Sequence, residues 1–187
     1  IIKGMYRGTV TVKEDGKVVA QLPLTVTVKN RVLPPSSEWA FHLDLWQNPY
    51  AVARYYNVEP FSQEHFDLMR PIMKRYADAG GKVITTSIMH KPWNGQTYDP
   101  FESMVTWMKK ADGTWWFDYT VFDKWVEFMM SCGVKKEIGC YSMVPWRLSF
   151  QYFDQASNSF KFFNGKPGEP AYEEFWTRML NSFAQHL

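Results

Sequence analysis

Side chains of the types that hold polar ligands fall in a few short stretches of this sequence. Asp44, Trp46 and Asn48 lie in FHLDLWQNPY. His90, Trp93, Asn94, Tyr98 and Asp99 lie in MHKPWNGQTYDP, with Glu102 just beyond. Tyr141, Trp146 and Arg147 lie in CYSMVPWR. Carboxylate, imidazole, amide and phenol groups beside indole rings combine hydrogen-bonding groups with flat apolar faces, the usual make-up of a small-molecule site. Each residue also has a plainer reading. His90 either contacts a ligand or bonds a strand-end backbone group. Trp93 and Trp146 either line a cleft or plug a loop onto the fold. Asp44, flanked by Leu43 and Leu45, points inward if those leucines point outward. A carboxylate there needs a partner, and a structural salt bridge, with Arg147 for instance, would supply one.

Other chemistry is missing. There is no G-x-S-x-G, H-E-x-x-H or P-loop. Asp44, Asp99 and Glu102 are the only carboxylates near these clusters, so no pair of acids for glycoside hydrolysis stands out. Cys132 and Cys140 flank a helix-to-strand turn without companion histidines at zinc spacing, and read as two buried free thiols, with a disulfide between them as the alternative. No cofactor is expected.

With 187 residues the chain is long enough for one ordinary domain or part of a larger one. A net charge of +2 gives no electrostatic footprint for nucleic acid or an anionic membrane. No apolar run approaches the length of a membrane span. Aromatic residues make up 18%, which fits a large aromatic core and also fits stacking on sugar rings.

The elements that must position these groups change character near residue 33. Residues 1–32 alternate like strands around the turn Glu14-Asp15-Gly16-Lys17. Leu22 to Val28 contains Pro23 and reads as an edge strand. This piece is too small for a core of its own. After the Pro34-Pro35-Ser36-Ser37 linker, Phe41–Trp46 reads as a strand. A helix capped by Ser62 follows, with Phe66, Met69, Met73 and Tyr76 on one face; Pro71 should bend or restart it, and Gly80-Gly81 ends it. Lys82–Met89 is a second strand. Thr120 should cap a second helix with Asp123 three residues on, its apolar face Phe122, Trp125, Val126 and Met129, ending at Gly133. Glu137–Met143 is a third strand. Glu169-Pro170 opens a third helix whose stripe is Tyr172, Phe175, Trp176, Met179, Leu180 and Phe183.

A β-α-β-α-β-α order calls for a parallel sheet with right-handed crossovers. Helix-to-strand connections are short, while strand-to-helix connections (47–61, 90–119 and 144–168) are long and carry the candidate residues. That distribution favours a TIM-type (β/α)8 barrel, whose loops at the C-terminal strand ends build the site. A doubly wound fold would need a glycine fingerprint after its first strand, and Trp46-Gln47-Asn48-Pro49-Tyr50 is not one. Two β-hairpins, turning at Lys110–Gly113 and Gln155–Asn158, are expected as insertions in the loops.

The stretches FHLDLWQNPYAVARYYNVEPFS, KVITTSIMHKPWNGQTYDPFESM, FDYTVFDKWVEFM and CYSMVPW, in this order, resemble the catalytic region of glycoside hydrolase family 123 over residues 33–187. Residues 1–32 look like the last strands of the β-sandwich that precedes the barrel there. The resemblance implies a bacterial enzyme, secreted, periplasmic or on the cell surface, that removes β-linked N-acetylgalactosamine. It implies retaining, substrate-assisted catalysis: the 2-acetamido oxygen attacks the anomeric carbon, an aspartate orients it, and the adjacent glutamate is general acid and base, outside the two-carboxylate nucleophile scheme. This sequence contains no Asp-Glu dipeptide. The expectation is therefore the first three βα units of an incomplete barrel, inactive alone, with the pair beyond Leu187 and the rest of the polypeptide as structural partner. On this reading Asp44, Trp46, His90, Trp93, Asn94, Tyr98, Tyr141 and Trp146 line the sugar subsite. The competing reading is a noncatalytic carbohydrate-binding or structural module.

Overall fold

The Val/Thr alternation around Asp15-Gly16 folds as a two-stranded antiparallel hairpin, β1 (Gly4–Glu14) and β2 (Lys17–Val28). Asp15 and Gly16 both have positive φ, 49° and 78°, the twist that a two-residue hairpin turn requires. Pro23 sits opposite Thr9 within the ladder, which a two-stranded ribbon tolerates because each strand has a free edge. The computed structural model describes residues 1–187. The hairpin belongs to a unit of its own, Ile1–Pro35, and Ser36–Leu187 form a second unit.

The second unit is a mixed α/β structure. It begins with α1 (Pro49–Tyr56) and α2 (Gln63–Asp78). Asn48 caps α1, its Oδ1 accepting the Ala51 N–H at 3.3 Å, and Pro49 opens it. This short helix lies in a stretch read from sequence as loop; eight residues are too few for a visible period. Ser62 caps α2 as expected, accepting the His65 N–H at 3.2 Å. The helix continues through Pro71 as one element and does not restart there. Its buried face is His65, Met69 and Met73, and Gly80 with φ +89° turns the chain out of it.

The expected strand at Phe41–Trp46 is reduced to a single parallel bridge, Leu43 to Gly81. The cause is Tyr76. Its phenol enters between this segment and β3 (Val83–Ser87), donating to Leu43 O or Val83 O at 3.2 and 3.1 Å. Gly81 makes room, since a Cβ there would overlap the Tyr76 ring. Further on, the Gln47 side chain takes over: Oε1 accepts the Thr85 N–H at 2.8 Å and Nε2 donates to Val83 O at 3.3 Å. Side chains thus replace ladder hydrogen bonds, and no strand forms.

β3 is buried along its whole length and pairs in parallel with β6 (Glu137–Tyr141), from Val83↔Glu137 to Ser87↔Tyr141. Between them come β4 (Thr106–Lys109), β5 (Trp115–Asp118) and α3 (Thr120–Cys132). Thr120 is the first residue of α3 and not its cap. Asp118 Oδ1 accepts both its N–H and its hydroxyl, at 3.2 and 2.7 Å, while Asp123 faces His186 at 2.7 Å. Phe122, Trp125, Val126 and Met129 are buried, and Gly133 ends the helix with φ +110°.

Both expected hairpins form, the second being β7 (Ser149–Asp154) and β8 (Ser159–Asn164). They are not separate flaps. β4 and β7 pair in parallel at Met108↔Phe153 and Lys109↔Asp154, joining four strands in the order β5-β4-β7-β8. The inner face of this sheet packs on α4 (Pro170–His186): Trp107 stacks on Phe175 at 4.9 Å, Phe163 on Phe175 at 4.7 Å, and Phe150 meets Trp176 at 5.5 Å. Much of the aromatic content is therefore core. Of the α4 stripe, Leu180 is exposed; it lies at the edge of the buried arc. Cys132 and Cys140 are free, but only Cys132 is buried. No helix is long and apolar enough to cross a membrane.

Candidate functional site

Three rings from three separate segments meet where β3 and β6 end. Trp46 lies 4.9 Å from Trp93 and 5.1 Å from Tyr141, and Trp93 lies 4.8 Å from Tyr141. Gln47 anchors the first ring's segment on β3, the loop after β3 carries the second, and the last residue of β6 is the third. Trp93 is 7% exposed and also packs on Phe101 at 4.6 Å, so it serves as a wall. Trp46 is 53% exposed and presents a free face. Trp46, Asn48, Trp93, Gln96, Thr97 and Phe101 enclose an open cavity of about 250 Å³.

Asp44 stands by this cluster. Burial, and then the Asp44 carboxylate, push the Tyr141 phenol up, so Tyr141 stays a protonated hydrogen-bond donor. Asp44 Oδ1 is enclosed and has no hydrogen-bond partner. An enclosed carboxylate oxygen without a donor is costly, which leaves an unmet acceptor beside the rings. The salt bridge that would have explained Asp44 structurally is absent: Arg147 is exposed and joins no ion pair.

His90 is placed differently. Its Nδ1 lies 2.5 Å from Glu102 Oε2. It lines a second cavity of about 210 Å³ with residues of β4, β7 and β8, and does not line the Trp46–Trp93 cavity. Glu102 is held in place through its carbonyl, which accepts the Tyr50 and Ser87 hydroxyls at 2.9 and 2.5 Å. The hydrogen bond from His90 holds the Glu102 carboxyl below the usual carboxylate range.

The remaining candidates shape the loops. Asn94 has φ 54° and donates its N–H to Lys91 O at 2.9 Å, a turn position suited to asparagine. Tyr98 is 87% exposed, with the Arg54 guanidinium 4.8 Å over its ring, while Arg54 Nε pairs with Asp99 Oδ1 at 2.6 Å. Asn48 Nδ2 donates to Asp99 O at 3.2 Å, tying this loop to α1. Trp146 is 65% exposed, so it is no plug; its N–H donates to Pro92 O at 2.9 Å and joins the loops after β3 and β6. Sequence reading missed Gln47 as the anchor of Trp46. Its signal, a buried amide after a short apolar run, is too common to single out. No cluster of three or more His, Cys, Asp or Glu side chains could hold a metal ion.

An aromatic wall, an unmet carboxylate oxygen and open cavities with mixed linings suit a polyhydroxylated ligand. The profile described as glycoside hydrolase 123, catalytic domain, matches residues 46–187. No curated protein matches the chain. Among solved structures, a family 123 glycoside hydrolase from Clostridium perfringens, described in terms of glycolipid glycan hydrolysis, is 36% identical with a TM-score of 0.91. That match covers 100% of this chain and 34% of the other, so the chain spans about a third of its relative's length. By its sequence, and by the fold it shares with that structure, the chain belongs to glycoside hydrolase family 123.

Proposed function

We propose that this chain supplies substrate-binding walls to a glycoside hydrolase that removes terminal β-linked N-acetylgalactosamine by substrate-assisted, retaining catalysis. The observation that carries the reading is the Trp46–Trp93–Tyr141 cluster with Asp44 beside it, in a family 123 chain. The exposed Trp46 face stacks on the apolar face of the sugar ring. The Tyr141 hydroxyl donates to the substrate, and Asp44 accepts from a sugar hydroxyl. Asn94, Tyr98 and Trp146 border the same mouth from the loops.

On this reading β3, α3 and β6 belong to the first βα units of a (β/α)8 barrel, and the hairpin of residues 1–32 to a preceding β-sandwich. The parallel β3–β6 pairing and the long loops at the strand ends support this. The Asp-Glu pair that the chemistry needs is absent from these residues. It would come from the part of the related structure's length that the chain does not span. The protonated glutamic acid there needs a raised pKa to donate to the leaving oxygen. Residues 1–187 alone are then inactive, and an exported bacterial location accords with this reading.

The test is hydrolysis of β-N-acetylgalactosaminides by the full-length protein, with β-N-acetylglucosaminides as control. Preferred cleavage of the galactosaminide with retained anomeric configuration is expected. Glycan binding without turnover would instead favour a noncatalytic module.

A further inference from the structure

The loop after β3 closes on itself. The Lys91 N–H donates to Phe101 O at 2.8 Å, so residues 91–101 leave and return at one point. Its two ends are fixed by burial, since Trp93 and Phe101 are enclosed and pack on each other at 4.6 Å. Its tip is not. Gly95 has open space around it, and Gly95, Gln96 and Tyr98 are exposed. Inside the loop the tip makes short-range hydrogen bonds alone: Asn94 N–H to Lys91 O at 2.9 Å, Gln96 N–H to Trp93 O at 3.1 Å, and the Thr97 hydroxyl to Asp99 O at 2.8 Å.

What holds the tip in place comes from α1 and its cap. Asn48 Nδ2 donates to Asp99 O at 3.2 Å. Arg54 Nε pairs with Asp99 Oδ1 at 2.6 Å, and the same guanidinium lies 4.8 Å over the Tyr98 ring. An ion pair in open water contributes little. Here the Asp99 side chain is 12% exposed and Arg54 is its one ion-pair partner, so the carboxylate depends on that donor. The clamp stands behind the cavity and not in it. Asn48, Gln96 and Thr97 line the cavity of about 250 Å³ opposite the Trp46 ring, while Arg54, Tyr98 and Asp99 do not. Asp99 O, bonded to both Asn48 and Thr97, joins the clamp to that wall.

We propose that Arg54 is a positioning residue for the Trp46–Trp93 cavity: by clamping Asp99 and Tyr98 to α1 it fixes the Gln96–Thr97 wall against the Trp46 ring and so sets how tightly a sugar is held between them. The inference rests on the glycosidase reading above for the identity of that sugar. It adds that a residue which touches no substrate controls its affinity.

The test uses the full-length protein with two readouts: deuterium uptake by the amides of residues 94–99, and steady-state kinetics on an aryl β-N-acetylgalactosaminide. Arg54→Ala should speed the uptake and raise KM about tenfold with kcat kept, the split expected when ground state and transition state lose the same binding. Arg54→Lys keeps the charge but lacks the flat fork that serves Asp99 and Tyr98 together, and should recover only part of the affinity. Asp99→Asn retains the carbonyl that holds Asn48 and Thr97. It should match Arg54→Ala, and the double variant should be no worse than either single change, because the two side chains act as one unit. Unchanged KM in Arg54→Ala, or a fall in kcat without a rise in KM, would overturn the positioning role while leaving the glycosidase reading intact. Additive effects of Arg54→Ala and Asp99→Asn would also overturn it. A wild-type protein that does not cleave the galactosaminide would overturn both.

Discussion

Gln47 Oε1 accepts the Thr85 backbone N–H at 2.8 Å, and the same side chain donates to Val83 O, so one amide does for β3 what a neighbouring strand would do. The relationship sets the position of Trp46, the next residue back, against Trp93 and Tyr141. Gln47→Ala leaves the buried Thr85 N–H without a partner, while Val83 O keeps the Tyr76 hydroxyl, at about 1–3 kcal/mol for the orphaned group. The expected outcome is a lower thermal midpoint together with a weaker near-ultraviolet circular dichroism signal from the loosened ring cluster. A melt unchanged from wild type would show that the amide is dispensable.

Tyr76→Phe isolates the phenol that enters the ladder. The ring stays, while the hydroxyl that faces Leu43 O, Val83 O and the Val83 N–H is removed. A loss of about 1–2 kcal/mol in denaturant unfolding is expected. Gly81→Ala should cost about 1–3 kcal/mol by overpacking against the same ring. Because both changes act at one ring, the double variant should cost less than the sum of the two.

His65 is a buried imidazole with both nitrogens engaged: Nδ1 accepts the Phe61 N–H at 2.9 Å and Nε2 faces Pro49 O at 2.9 Å. That arrangement holds it neutral, and burial lowers its pKa. The unfolded chain then takes up a proton, near pH 6.5, that the folded chain refuses. Stability is full above that pH and falls as the pH drops from about 6.5 towards the folded-state pKa, by at most about 1.4 kcal/mol per pH unit. Denaturant melts between pH 7.5 and 5.5 should show this loss in the wild type and lack it in His65→Gln. Equal slopes in the two proteins would refute the assignment.

Trp46→Ala removes the exposed face of the ring cluster. In the full-length protein it should raise KM for a β-N-acetylgalactosaminide about tenfold, which corresponds to about 1.4 kcal/mol of stacking on the sugar ring. Its melt should stay close to wild type, because the ring is half exposed. Kinetics that match wild type would place the sugar elsewhere.

What the sequence determined by itself was local. Ser62 as a cap, Gly80 and Gly133 as helix ends, the turns at Asp15-Gly16 and Gly113, and the α4 stripe of Tyr172, Phe175, Trp176, Met179 and Phe183 all follow from backbone sterics and period, which act within a few residues. The linear order of motifs also sufficed for the family. Three things only the tertiary structure decided. Tyr76 and Gln47 displaced a strand that Phe41–Trp46 alone would favour, because side-chain hydrogen bonds between positions far apart in the chain met the ladder's groups first. The two hairpins fused into one sheet through a pairing between β4 and β7 that no local pattern records. His90 left the ring cluster for the hairpin cleft because Glu102, pinned through its carbonyl by Tyr50 and Ser87, captured its imidazole. Hydrogen-bond partners and ring stacking are set by where elements cross in space, and that information is nonlocal in the chain.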